Sequence, residues 1–137
     1  MPTKIKIIKT KEFLEVTSDG IINLATSKQL LIDIAKTENY PVDYELFVDF
    51  RDTQNELSIT DIYELAAELY KHGNTFRKKV ALLVLPGVNF DNAQFFETCA
   101  QNKGFNINAF TDYEKAIRWI ISMDNFPNTD SQYNNKG

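Results

Sequence analysis

The 137-residue chain has little of what enzymes and secreted proteins usually carry. It contains one cysteine, Cys99, and one histidine, His72. A single cysteine excludes an internal disulfide and is typical of a reducing compartment, so we expect a cytoplasmic protein. The chain has five glycines and neither a GxxxxGK[ST] nor a GxGxxG motif, so a phosphate-cradling loop is missing. We therefore predict no enzyme activity, no cofactor and no metal site.

Clusters of basic residues and long apolar runs are missing as well. The chain has 15 Lys and Arg against 19 Asp and Glu, a net charge of −4, whereas nucleic-acid binding needs clustered cations. No apolar run approaches the roughly 20 residues of a membrane span. The first residues, MPTKIK, lack the apolar core of a signal peptide. We expect no nucleic-acid partner and no membrane span.

Two continuous apolar runs organise the chain instead. They are ELFVDFR at residues 45–51 and KVALLVL at residues 79–85. Consecutive apolar residues indicate that both faces of a strand are covered, which is typical of inner strands in a parallel sheet. A helical pattern follows each run, and strands separated by helices usually lie side by side. We predict that the strands centred on Val48 and Leu83 are parallel neighbours.

Weaker patterns complete the order ββαβαβαβα, a single α/β domain with a mostly parallel sheet. Alternation predicts an N-terminal hairpin from residues 4–9 and 12–17, closed by a chain breaker at residues 18–20. Apolar stripes predict helices at 23–36, 58–72 and 91–103, and FNINAF at 105–110 predicts a strand nearer the sheet edge. Residues 124–137 have no periodicity, so we expect a domain at 1–123 and a disordered polar tail.

The helix starts and faces give further expectations. The first helix has two candidate N-caps, Asn23 and Thr26. The last helix begins at TDYE, residues 111–114, which has the form of a capping box. Its apolar spacing predicts a buried face, with Glu114 and Arg118 paired on the outside. That face comprises Tyr113, Ala116, Ile117, Ile120 and Ile121.

Three side chains carry reactive groups, and each also has a structural explanation. His72 ends a predicted helix, where a basic residue complements the helix dipole. Cys99 lies near the apolar face of its helix, so packing explains it. Asp49 stands late in a central strand, like the phosphoacceptor of response-regulator receivers. That site also needs an acidic pair after the first strand, and residues 7–10 supply no acid. We interpret Asp49 as a structural carboxylate that accepts backbone N–H groups.

Two longer blocks resemble a known family. LFVDFRD leading to SITDIYELAAEL, and AQFFETCAQNKGFNINAFTDYEKAIRWI, resemble the SpoIIAA-like branch of STAS domains (sulphate transporter and anti-sigma-factor antagonist) over residues 4–122. The resemblance implies a STAS-like fold and a non-enzymatic regulatory or protein-interaction module.

The family also implies a regulatory serine. In anti-sigma antagonists, a kinase phosphorylates a serine in an Asp-Ser-Ser-Gly motif at a helix N-terminus, and the complex then breaks. Ser58 lies near that position, but the stretch reads ELSIT, without the preceding Asp and the following Ser-Gly. Ser58 or Thr60 is therefore also explained as a plain helix cap.

The connections that follow the two inner strands form a candidate partner-binding surface. Residues 51–61 and 87–91 leave the carboxyl ends of strands that we expect to be neighbours, beside two helix N-termini. Acids surround Ser58, which suits a basic protein partner better than a phosphate. The candidate residues for partner binding or a phospho-switch are Arg51, Asp52, Glu56, Ser58, Thr60, Asp61 and Asn89.

A small-molecule or lipid carrier is the alternative hypothesis. SpoIIAA-like domains have been compared in fold with Sec14-type lipid-binding domains, and the chain has ten Phe and six Tyr. A pocket of several hundred cubic ångströms, roughly the size of ligand sites in general, would favour a hydrophobic ligand. A closed core with an exposed apolar patch would favour a protein partner. The phenylalanines that could line a pocket, or simply pack the core, are Phe90, Phe95, Phe96, Phe105 and Phe110.

Overall fold

The protein is built on a five-stranded sheet with strand order β1-β2-β3-β4-β5. A computed structural model describes the backbone of residues 4–9 together with residues 13–36, 45–72, 76 and 78–122. β1 runs antiparallel to β2, and all later neighbours are parallel. The strands are β1 (Lys4–Lys9), β2 (Phe13–Ile22), β3 (Glu45–Asn55), β4 (Val80–Leu83) and β5 (Ile107–Phe110).

The two apolar runs are neighbouring inner strands, as predicted. In the parallel β3–β4 pair, Val48 lies opposite Leu82 and Asp49 opposite Leu83. The antiparallel β1–β2 pair occupies the place of the expected hairpin, whose connection at residues 10–12 lies outside the described residues. The four parallel strands alternate with four helices, which confirms the α/β class.

The helices cover the two faces of the sheet unequally. Three of them pack against one face, where Leu30, Leu65 and Ala100 share a core with Val48 and Leu82. Of the described helices, the last one alone lies on the other face, where Trp119 and Ile120 pack against Phe47 and Leu83. The helices are α1 (Leu24–Ala35), α2 (Ile59–Lys71), α3 (Val88–Asn102) and α4 (Tyr113–Ile121).

β2 and β3 extend beyond their predicted ends. Residues 18–20 do not break the chain and residues 51–55 are not a loop, because the two segments pair with each other. Thr17 lies opposite Asp49 and Asp19 opposite Asp52, so two residues of β3 face Ser18 alone. This β-bulge shifts the alternation of β3 beyond Phe50. Both predictions were wrong because long-range pairing overrode the local turn residues.

Two helix starts differ from prediction, and one ambiguity is resolved. Asn23 caps α1, with Thr26 completing the capping box. α3 begins at Val88, three residues before the predicted Asp91, after Gly87 with a φ of 103° and no side-chain cap. α4 is capped by Asp112, whose carboxylate accepts the N–H groups of Glu114 and Lys115; the predicted Thr111 cap was wrong. The spacing of a capping box pointed to Thr111, whereas residue type favours Asp112, because aspartate ranks above threonine as an N-cap.

The buried face of α4 is narrower than predicted. Ala116 and Ile120 are fully buried and Trp119 nearly so, whereas Tyr113 and Ile121 are exposed. These two residues lie at the margins of the apolar stripe, and no second helix in the described residues packs beside α4 to cover them. The predicted pair of Arg118 with Glu114 is present at 3.8 Å.

A buried lysine fixes the C-terminus of α4 to the sheet. Lys79, immediately before β4, is only 5% exposed. Its Nζ donates hydrogen bonds to the carbonyl oxygens of Trp119 at 2.9 Å and Ser122 at 2.6 Å, and to the Ser122 hydroxyl at 3.1 Å. The ammonium also lies 5.5 Å from the centre of the Trp119 ring. A cation here satisfies carbonyls that a helix end leaves without partners.

Two side chains of α3 cover the outer edge of β5. Glu97 Oε1 accepts the N–H of Ala109 at 2.9 Å, and Gln101 Nε2 donates to the carbonyl oxygen of Ile107 at 2.9 Å. Burial raises the pKa of Glu97, and the hydrogen bonds from Ala109 and Gln101 offset only part of that rise. Backbone groups that would otherwise be unpaired at the sheet edge are therefore bonded within the chain.

Several predictions fall outside the described residues. They are the turn at residues 10–11, the end of the first helix at 38–41, the helix stop at Gly73 and the polar tail from Asp124, with the domain boundary that it implies.

Candidate functional site

The connections after β3 and β4 lie at the same edge of the sheet. β3 ends at Asn55 and α2 begins at Ile59, while β4 ends at Leu83 and α3 begins at Val88. Because β3 and β4 are parallel neighbours, both connections and both helix N-termini are on the carboxyl side of the sheet. We call the surface formed by residues 52–61 and 84–91 the rim.

Arg51 belongs to β3, and its side chain forms an ion pair with Asp49 of the same strand. Its Nε and one terminal nitrogen donate to the two carboxylate oxygens of Asp49 at 3.0 and 2.9 Å, and its backbone N–H donates to the same carboxylate. The guanidinium lies 5.6 Å from the centre of the Tyr113 ring, toward α4. Burial alone would raise the pKa of Asp49, but the hydrogen bonds from Arg51 outweigh it and the pKa is lowered. Asp49 therefore accepts a backbone N–H, as predicted from the sequence, and the donor is Arg51 of the same strand.

The acids of the rim have different surroundings. Asp52 and Glu56 are exposed and make no ion-pair contact among the described residues. Asp61 lies in the first turn of α2, where its carboxylate accepts the backbone N–H of Ser58 at 3.1 Å. The hydrogen bonds of the Arg51 guanidinium go to Asp49 and to none of these three carboxylates.

Ser58 caps α2, which confirms the structural interpretation of this residue. Its Oγ accepts the N–H of Asp61 at 3.0 Å and, with the reciprocal bond from Asp61, forms a capping box. Thr60 is exposed in the first helical turn and is not the cap. The Ser58 residue is itself exposed, so a modifying enzyme could reach it.

Asn89 lies apart from the other candidates because it lines a cavity beneath the rim. The cavity has a volume of about 100 Å³ and lies between the sheet and helices α1–α3. Asn89 contributes to it together with Thr53, Asn55 and Asn92. Of the five phenylalanines proposed for a pocket, only Phe96 lines it; Phe105 packs against the core and Phe110 against Trp119.

Three apolar side chains that were not predicted are exposed at the rim. Ile59 is 61% exposed, Leu85 47% and Val88 73%. Ile59 and Val88 are the first residues of α2 and α3, and Leu85 lies in the connection between β4 and α3. A signal was available, because Ile59 falls outside the stripe of Ile62, Leu65, Ala66 and Leu69 that is buried in α2. The rim therefore combines exposed apolar groups with exposed carboxylates.

The other reactive residues form no site in the described part of the chain. His72 Nε2 lies 3.6 Å from Glu68 at the end of α2, and Cys99 is buried without a disulfide partner. Within the described ranges, no group of three His, Cys, Asp or Glu side chains is placed to hold a metal ion. None of the described helices has the length and apolarity needed to cross a membrane.

The parallel βαβαβαβα arrangement, with three helices on one face and one on the other, defines a SpoIIAA-like α/β fold. A similar solved structure is that of an uncharacterised DUF3478-family protein with a SpoIIAA-like fold from Shewanella loihica PV-4, with a TM-score of 0.55. The sequences are 18% identical, and the match covers 86% of this chain and 93% of that one. No model of a protein family and no curated protein matches the sequence. The comparison confirms the predicted SpoIIAA-like fold.

Proposed function

We propose that this protein is a non-enzymatic, STAS-like interaction module that binds a protein partner through the rim. The observation that carries the proposal is the exposure of Ile59, Leu85 and Val88 beside two helix N-termini. Large apolar side chains that gather at one edge of a domain usually mark an interaction surface, because leaving them in water is unfavourable. Protein–protein interfaces typically have an apolar centre surrounded by polar and charged groups.

The charges of the rim favour a basic partner. Asp52 and Glu56 are exposed, and Asp91 adds a third exposed carboxylate in the first turn of α3. Arg51, the nearby cation, is held by Asp49 and points toward α4. A partner with Lys or Arg around an apolar anchor would complement this surface, and the charges would accelerate its association.

The cavity gives less support to the alternative of a lipid carrier. Its volume of about 100 Å³ is well below the roughly 300–1,000 Å³ of pockets that bury drug-sized ligands. An acyl chain would need a larger space than the described residues enclose. The exposed apolar rim therefore makes the protein partner the better-supported function.

Photo-crosslinking in the native cell tests the proposal. A benzophenone amino acid at position 88 should capture a partner that the same group at position 70 does not. Tyr70 is a matched control because it is also exposed, about 16 Å further along α2 than Ile59. With the purified partner, Val88→Ser should weaken binding about tenfold or more, and Tyr70→Ser should leave it unchanged.

Charge reversal supplies the second arm of this test. Asp52→Lys should slow association and flatten its dependence on salt, since rim charges act mainly on the on-rate. Asp52 is preferable to Asp61, whose carboxylate also bonds the start of α2. Unchanged binding in both Val88→Ser and Asp52→Lys, with normal melting curves, would show that the partner uses another face.

A phospho-switch at Ser58 is the regulatory form of the same proposal. Ser58→Asp keeps an N-cap and adds negative charge, whereas Ser58→Asn keeps the cap without the charge. By charge alone the Asp variant should attract a basic partner more strongly than the Asn variant does. A weaker affinity of the Asp variant would therefore show that phosphorylation at Ser58 releases the partner for another reason, by bulk or desolvation, and tighter binding would exclude a release switch. Equal affinity of the two variants would leave Ser58 as a structural cap only.

A further inference from the structure

The cavity beneath the rim is apolar along its walls and polar at one end. Val48 and Leu82 of the sheet, Leu30 of α1 and Leu65 of α2 form part of the walls, and all are buried. The half-buried lining residues collect on the carboxyl side of the sheet, where β3 ends and α3 begins. This distribution places the mouth of the cavity at the rim.

The lining restricts the charge of any occupant. Among the described residues that line the cavity there is no Asp, Glu, Lys, Arg or His, and their only polar side chains are Ser27, Thr53, Asn55, Asn89 and Asn92. A charged group moved from water into such surroundings has no partner to offset its desolvation. An occupant must therefore be neutral and largely apolar.

Two amides at the mouth remain available for hydrogen bonding. Thr53 Oγ1 donates to the carbonyl oxygen of Phe50 at 2.6 Å, and Asn55 Oδ1 accepts the N–H of Leu57 at 2.8 Å. The side chains of Asn89 and Asn92 make no hydrogen bond among the described residues, although both are half-buried and line the cavity. Neither amide is sealed from solvent, so water can satisfy both until a ligand group takes its place.

We propose that this cavity is a binding site for a small, uncharged molecule, of about one aromatic ring, that carries a single hydroxyl or carbonyl group. The ring would lie between the apolar walls, and the polar group would bond to Asn92, which lies beside Asn89 at the mouth. The volume of about 100 Å³ is smaller than the roughly 150 Å³ of an apolar cavity that accepts benzene. One ring is therefore the upper limit, and it fits only because the cavity is open at its mouth, where the polar group would lie.

Three probes of similar size test the site in a nuclear magnetic resonance titration of the ¹⁵N-labelled protein. Phenol has a ring and a hydroxyl, toluene lacks the hydroxyl, and benzoate adds a charge. Phenol should give saturable shifts at cavity residues, toluene should bind about tenfold more weakly, and benzoate should not bind there. Shifts that do not saturate, that lie elsewhere, or that benzoate produces equally well would overturn the proposal.

Variants of α3 separate a specific site from weak adsorption. Asn92→Leu should weaken phenol about tenfold without weakening toluene, and Asn102→Leu, an exposed position on the same helix, should change neither. Ala93→Leu should fill the volume and abolish both; if it does not fold, the Asn92 and Asn102 pair decides. Equal effects of the two Asn→Leu changes would refute the assigned hydrogen bond and with it the proposal.

This inference is independent of partner binding at the rim. Val88 does not line the cavity, so Val88→Ser should leave the affinity for phenol unchanged. Loss of partner binding with phenol binding intact, or the reverse, shows which of the two proposals has failed.

Discussion

Replacing Lys79 by methionine is expected to destabilise the protein substantially. Methionine keeps most of the buried stem but removes the ammonium, so the carbonyl oxygens of Trp119 and Ser122 lose a charged donor. A hydrogen bond to a charged group contributes about 1.5–3 kcal/mol, and a cation at a partly buried helix C-terminus up to about 2 kcal/mol. These contributions overlap, and relief of the buried ammonium's desolvation offsets part of the loss.

The net expectation for Lys79→Met is a loss of about 2–4 kcal/mol in the free energy of unfolding. In a chain of this size that corresponds to a fall in Tm of roughly 6–12 °C, measured by circular dichroism. The neighbouring Lys78→Met is the matched control, because Lys78 is exposed and should change stability by less than about 0.5 kcal/mol.

Trp119 gives this experiment a second readout. It is the only tryptophan in the chain, and the Lys79 ammonium lies 5.5 Å from its ring. Lys79→Met should therefore shift the fluorescence of the folded protein, while Lys78→Met should not. A Lys79→Met protein that melts within about 1 °C of the parent would refute the reasoning. The desolvation penalty of the ammonium would then equal the free energy that its hydrogen bonds contribute.

Three further predictions use the same melting assay. Ser18→Ala should raise the free energy of unfolding by about 1 kcal/mol, because the buried Ser18 hydroxyl has no partner in the described residues; a lower Tm would show that it is bonded. Leu83→Ala should cost about 2–5 kcal/mol, since Leu83 is fully buried against α4; a loss below about 1 kcal/mol would contradict that packing. The raised pKa of Glu97 means that the folded state binds its proton more tightly than the unfolded state does, so this group's contribution to stability falls as pH rises from the unfolded value near 4.5 through the folded pKa. Relative to Glu97→Gln, the parent should gain stability as pH is lowered from neutral toward 4.5, and the opposite trend would contradict the effect of burial.

Structural features that depend on one short segment of the chain could be predicted from the sequence. The runs around Val48 and Leu83 predicted adjacent inner strands because continuous apolar residues need cover on both faces. Ser58 and Asn23 were each one of two candidate caps, because capping depends on residues within about four positions, and the structure decides for them over Thr60 and Thr26. The pairing of Asp49 with Arg51 was missed, although residues two apart share one face of a strand.

Features that depend on distant segments were not predictable in the same way. Residues 51–55 have the composition of a loop, and they are a strand only because residues 19–22 lie beside them. The volume of the cavity depends on how closely three helices approach the sheet, and no local sequence pattern predicts that distance. Asn89 was therefore assigned to the surface for its polarity, whereas it lines the cavity beneath the rim.

The hydrogen bonds from Glu97 and Gln101 to β5 bear on self-association of the protein through its sheet edges. A sheet whose last strand offers free N–H and C=O groups invites a strand from another molecule, which is how ordered aggregates begin. Here the helix that precedes β5 closes that route, so the sheet cannot be extended past Ala109 without first displacing a carboxylate and an amide. β1 is the edge strand on the opposite side of the sheet. We therefore expect these two side chains of α3 to oppose the addition of a neighbouring copy's strand at the β5 edge.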